Sequence, residues 1–174
     1  MQGQKGRLNF VSIDLSTRIG PPLNVRALLP EVSLVLRDML GIGPIPLLTL
    51  DVLEDGRRSP ATACELADRS SPFFLISMRG EPETAGLMTD GAFLTVTMAA
   101  QRTSLEFALG AAVALAAARR FGGMIEDPWR FFSPNAEISG EDLLRHLRPK
   151  GAPAAEGDIR HAAARLHLGA SATE

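Results

Sequence analysis

The sequence predicts an α+β domain, a two-layer sandwich in which a mostly antiparallel sheet of four to five strands carries helices packed on one face. Three observations predict it. Four segments alternate apolar and polar residues with a period of two, two segments carry capped helical patterns, and they follow one another in the order β-α-β-β-β-α-(β)-α. The 174 residues, 45% hydrophobic and 22% charged, fit one domain able to bury a core of its own.

The first element spans residues 8–15, where Val11, Ile13 and Leu15 alternate with Ser12 and Asp14; Phe10 beside Val11 breaks the parity and allows a bulge. Gly20, Pro21 and Pro22 stop it. A helix is then expected with Pro30 in its first turn, Val32, Val35, Leu36 and Met39 at helical spacing, and Gly41 and Gly43 as its end. Three strands follow, with Leu48, Leu50 and Val52, then Phe74, Ile76 and Met78, then Leu94, Val96 and Met98 facing the core. Residues 54–72 read as a long loop whose 61–69 portion forms a short helix carrying Cys64, and residues 81–91 read as an irregular turn.

The strongest local signal is a helix opened by Thr103 and Glu106 at capping-box spacing and closed by Arg119, Arg120 and Gly122. Alanines all round it let a sheet and another helix approach closely, which makes it the central packing helix. A short extended piece at residues 124–127 precedes Pro128, and Ser139 caps a last helix that buries Leu143, Leu144 and Leu147 before Pro149. Residues 1–149 therefore form the domain. Residues 150–174 form a Pro/Gly/Ala linker and a weak helix capped by Asp158, expected to be mobile or ordered only against the domain or a partner.

Composition excludes several classes of function. A formal charge of −2 gives no overall field for nucleic acid or for an anionic membrane. The most apolar run, residues 107–118, falls short of the ~20 residues that span a bilayer. From a single cysteine and an amino terminus without an apolar signal core, a cytoplasmic location is expected. The absence of tyrosine removes the residue most used for adaptable binding surfaces.

Candidate chemistry is sparse, and no cofactor or metal is expected. Gly41-Ile42-Gly43 lacks the third glycine and the lysine of a phosphate loop and reads as a helix stop. Cys64 has no histidine near it in sequence, and His146, His161 and His167 lack metal spacing and read as exposed helix positions. The carboxylate pairs Glu54-Asp55, Glu126-Asp127 and Glu141-Asp142 point oppositely along the chain; the last suits a helix amino terminus. Asp14 and Asp51, with Thr49, Ser77, Arg79, Thr95 and Thr97, make a polar sheet face, either simply solvated or a binding surface.

The densest segment is 126–132. It joins Glu126 and Asp127 to Trp129, Arg130, Phe131 and Phe132, the residue types of interface hot spots. Asp51, Glu126, Asp127, Trp129, Arg130 and Phe131 are the candidate partner-binding residues, while Trp129 and Phe132 are also expected to fold back over one end of the core.

The helix end Arg119-Arg120-Phe121-Gly122-Gly123, the piece Met124-Ile125-Glu126-Asp127-Pro128 and the capped Leu-Leu helix, together residues 103–148, resemble the carboxyl-terminal half of small bacterial α+β families that are immunity proteins of polymorphic toxin systems or uncharacterised domains. The resemblance implies a non-enzymatic inhibitor that binds a cognate toxin in the cytoplasm. It supplies no contact residues, and the low aromatic content departs from the pattern of a tight inhibitor. The rivals are a small-ligand or enzymatic domain using a cleft between Arg57-Arg58, Cys64 and Glu126-Asp127, and a structural subunit that self-associates through the sheet or the tail helix.

Overall fold

Residues 48–54, 73–78 and 93–98 alternate, and each becomes a strand with two distinct faces. A computed structural model describes residues 13–20, 23–61, 65–66, 73–89, 92–99, 102–128, 130, 132–148 and 158–166. The strands are β1 (Ile13–Arg18), β2 (Leu23–Asn24), β3 (Leu48–Glu54), β4 (Arg57–Pro60), β5 (Glu65–Leu66), β6 (Phe73–Met78), β7 (Thr84–Thr89), β8 (Phe93–Met98), β9 (Ile125–Glu126) and β10 (Glu137–Ile138). The helices are α1 (Val25–Leu40), α2 (Ser104–Phe121), α3 (Gly140–Leu147) and α4 (Ile159–Ala164).

The fold is α+β. Its main sheet has eight strands in the order β10-β9-β1-β8-β7-β6-β3-β4, every pair antiparallel, and β2 and β5 form a separate two-stranded ribbon. The sheet is thus larger than the four to five strands the alternation predicts. The additional strands lack a period-two signal for identifiable reasons. β4 is an exposed polar edge, and β9 and β10 hold two residues each. In β7 Ala85, Gly86 and Leu87 are buried in succession, so no alternation exists to be read from what looks like a turn.

Two further expectations are corrected. The 61–69 helix does not form as expected, because Glu65–Leu66 pairs as a strand with Leu23–Asn24; Cys64 lies outside the described residues. Helix α1 starts five residues before Pro30, at a cap where the Asn24 side chain accepts from the Ala27 amide. Pro30 therefore sits inside the helix, where it donates no bond to the Arg26 carbonyl.

Leu15, Phe74, Ile76, Leu87, Val96 and Met98 face the core and are essentially inaccessible to solvent. Helix α2 lies over β1, β7 and β8, and α1 packs beside it. Residues Leu105 and Phe107–Ala118 of α2 are buried on all sides. The close approach is clearest at Gly110, where a Cβ would come within 2.4 Å of the Met98 sulfur. The cap of α2 is half of a capping box: the Thr103 hydroxyl accepts from the Glu106 amide at 3.1 Å, but the Glu106 carboxylate accepts from the Ala99 amide instead of Thr103.

Helix α3 packs against one part of α2, and α4 lies across α2 and α1. The tail helix is thus ordered against the domain, through buried Ile159, Ala162, Ala163 and Leu166. Among the described residues, α1 and α2 cover one face of the sheet, α3 and α4 pack on α2 on that side, and no helix packs on the other face.

Candidate functional site

The uncovered face carries the off-parity residues of each strand. Asp14, Ser16 and Arg18 come from β1, and Phe93, Thr95 and Thr97 from β8. Strand β7 adds Thr84, Gly86 and Met88, β6 adds Phe73, Leu75 and Ser77, and β3 adds Thr49, Asp51 and Leu53. Hydroxyls pair across strands, Ser16 with Thr95 and Thr49 with Ser77, each at 3.0 Å. The Arg58 guanidinium from the edge strand donates to the Asp51 carboxylate and, at 2.8 Å, to the Ser77 hydroxyl, which seals Ser77 from water. One Asp14 carboxylate oxygen is enclosed without a hydrogen-bond partner.

Between these polar groups runs an apolar strip. The far end of the Phe73 ring comes so close to β7 that a Cβ on Gly86 would meet it at 2.2 Å; glycine leaves that space. Beside it Met88 is 47% exposed, and Phe93, Leu75 and Leu53 are half-buried. Apolar side chains of this size that no described helix covers are what an interface, rather than solvent alone, would bury.

One end of the sheet holds three of the sequence-predicted site residues, Glu126, Asp127 and Arg130. Glu126 faces Ser16 on one side and Glu137 on the other, which puts two carboxylates directly opposite each other on adjacent strands. Asp127, next along, is fully buried. One of its carboxylate oxygens accepts from the Phe132 amide at 2.7 Å, its backbone carbonyl accepts from the Arg130 amide, and its own amide donates to Ala136. Its side chain therefore shapes the loop from within and meets no partner directly. Arg130 is exposed and held at φ 55°, a left-handed conformation that a non-glycine residue adopts only when its surroundings impose it. Trp129 and Phe131 lie outside the described residues. Phe132 does fold back over the core, its ring 5.5 Å from Phe107 and edge-on to His146 at 5.6 Å. His146 is thus a packing residue, not the exposed helix position expected of it.

A cleft of about 480 Å³ opens between β10 and α3, lined by Phe132, Asn135, Glu137, Ser139, Arg145 and His146 among others. Its rim is set by the α3 cap. The Ser139 hydroxyl accepts from the Asp142 amide and donates to the Asp142 carboxylate, and Arg145 donates to that carboxylate from the next turn. The Ser139 hydrogen bond, aided by the Arg145 charge, holds the Asp142 carboxyl below the usual carboxylate range.

Asp51 does not belong to this end. It lies on β3, five strands from β9, roughly 24 Å at about 4.8 Å per strand spacing. The cleft expected between Arg57-Arg58 and Glu126-Asp127 does not form, because β4 and β9 stand six spacings apart, roughly 29 Å. Among the described residues no group of three or more His, Cys, Asp or Glu converges as metal ligands, and no helix is long and apolar enough to cross a membrane.

Sequence reasoning did not single out Phe73, Leu75, Met88, Phe93 or Glu137. A signal existed for three of them. Phe73, Leu75 and Phe93 are apolar at positions where strict alternation calls for polar residues, and an apolar residue on the wet face of a strand marks a surface with a use. No family model matches this chain, nor does any curated protein or solved structure.

Proposed function

We propose that this chain is a non-enzymatic protein-binding domain and, most concretely, an immunity-type inhibitor that neutralises a cognate toxin in the bacterial cytoplasm. The observation that supports this reading is the uncovered sheet face: a broad surface with exposed Met88 beside Phe73, Leu75 and Phe93, framed by cross-strand hydroxyl pairs. A rigid face of mixed polarity suits a protein surface, which buries roughly 800 Å² per partner, better than it suits a small ligand, which needs enclosure. The acidic end with Glu126 and Glu137 would steer a basic partner into place.

The test is copurification with the toxin encoded beside the protein, and protection of cells that express that toxin. Capture by the wild type, lost in Met88→Glu and slowed in Glu126→Lys, would support the reading. Capture unchanged in Met88→Glu and in Phe93→Asp would remove the face from it, and absence of any captured toxin would remove the inhibitor assignment. Light scattering on the same samples separates a second reading, self-association through this face, which predicts a dimer that Met88→Glu dissolves.

A further inference from the structure

The tail helix α4 is held by unusual means for so short an element. Its six residues are too few for helical propensity to maintain them, and its buried anchors are few: Ile159, Ala162, Ala163 and Leu166. The Asp158 side chain satisfies its first amides, those of Arg160 and His161. The rest of its hold is electrostatic. The Arg160 guanidinium reaches the turn between β6 and β7 and donates to Glu81 and, at 2.8 Å, to Glu83. These two hydrogen bonds raise the Arg160 pKa above its ordinary value, Glu83 contributing most.

Glu83 has a second partner. It is buried, and its other carboxylate oxygen accepts from the hydroxyl of Thr103, the residue that caps α2, at 3.2 Å. One carboxylate therefore ties the tail to the start of the central helix. Beneath the tail lies the outer side of α2, which is alanine-rich and buried. Without α4, that side of α2, its neighbour α1 and the Glu81–Glu83 pair would form an apolar groove with an acidic end.

We propose that residues 158–166 are a displaceable latch, and that the groove beneath is a docking site for an amphipathic helix of another chain that repeats the pattern of the latch. That pattern is a branched apolar residue, an arginine directly after it, small residues three and four positions on, and a leucine seven positions on. The seated tail defines what the groove accepts: small residues let the helix lie close on α2, and the arginine answers the two carboxylates. The sequence between Arg148 and Asp158 holds two prolines and two glycines and no large apolar residue. A partner must outcompete a tethered segment whose effective concentration is of the order of millimolar, so the site opens only to a strong or abundant helix. This surface is on the opposite side of the molecule from the sheet face and does not depend on that reading.

Hydrogen exchange on the full chain tests the latch. The amides of residues 162–166 are expected to exchange at least about a hundredfold faster than those of residues 111–117 in α2, and Arg160→Ala is expected to widen the gap about tenfold. A labelled synthetic peptide of residues 156–168 tests the groove by fluorescence anisotropy. It is expected to bind the full-length Ile159→Asp variant at least about ten times more tightly than the wild type, and to lose binding when the peptide carries Arg160→Glu. Unchanged exchange of α2 in Ile159→Asp establishes that the variant is folded; if it is not, Arg160→Ala takes its place. Protection of the tail equal to that of α2, or a peptide that binds wild type and variant alike or neither, would overturn the proposal. Met88→Glu leaves every one of these readouts unmoved, so failure of the sheet-face reading is scored separately.

Discussion

Phe73 and Phe74 are neighbours in one strand and differ in almost everything else. Phe74 is fully buried in the core, whereas Phe73 is half-buried on the face that no described helix covers, the end of its ring against the glycine of the adjacent strand. The same residue type thus holds the fold on one face of the sheet and builds a surface on the other. The comparison teaches that an apolar residue in a strand is not evidence of core until its parity is known, and that the residues out of parity are where this molecule has material to spare for binding.

Substitutions on the two faces test that division. Phe74→Ala is expected to cost about 3–5 kcal/mol in denaturant unfolding, because the cavity cannot close between a rigid sheet and a buried helix. A loss below about 2 kcal/mol would mean that the two faces are not distinct in energy. Gly86→Ala is expected to cost about 1–3 kcal/mol by forcing the Phe73 ring off the sheet. In a Phe73→Ala background the same change should cost less than about 0.5 kcal/mol, and a double-mutant cycle reads that coupling directly. Arg58→Ala is expected to lose about 0.2–1 kcal/mol, since the Arg58 side chain is 44% exposed and screened by solvent, and 1 M salt should reduce the difference. Met88→Glu should leave the melting temperature within about 2 °C of wild type while abolishing capture of the partner. A large drop in stability there would show that the side chain is core after all.

Much of the fold was legible in the sequence, and the illegible parts share a cause. Thr103, Ser139 and Asp158 all cap helices where the pattern places them, and Gly41 and Gly122 end theirs in left-handed conformations. The core residues of β6 and β8 and the first two of β3 are those that alternation selects. What escaped was short or lacked contrast. Two-residue strands cannot display a period, the exposed β4 shows none, and β7 is buried on both faces at Gly86. In β1 the described strand runs through Thr17, a buried polar residue whose hydroxyl donates to the Met124 carbonyl. A polar residue satisfied by a partner 107 positions away leaves no local trace.

The candidate site was legible in kind but not in place. Glu126, Asp127, Arg130 and Phe132, the candidate-segment residues that are described, lie at one end of the sheet, but Asp127 is internal scaffolding and Asp51 stands at the other end. Topology separates residues that composition alone would group, and a strand order with β1 next to β8 and β9 is not written in any local pattern.

The two rims of the sheet have a consequence for how the molecule meets its neighbours. One rim is β4, whose exposed Arg57, Arg58 and Pro60 deny an incoming strand both a neutral approach and one amide; the other is β10, only two residues long and opened by Glu137. Both rims therefore disfavour sideways extension of the sheet into a ribbon. Association is channelled onto broad surfaces, where side-chain fit decides the partner, and away from backbone pairing, which would accept almost any chain.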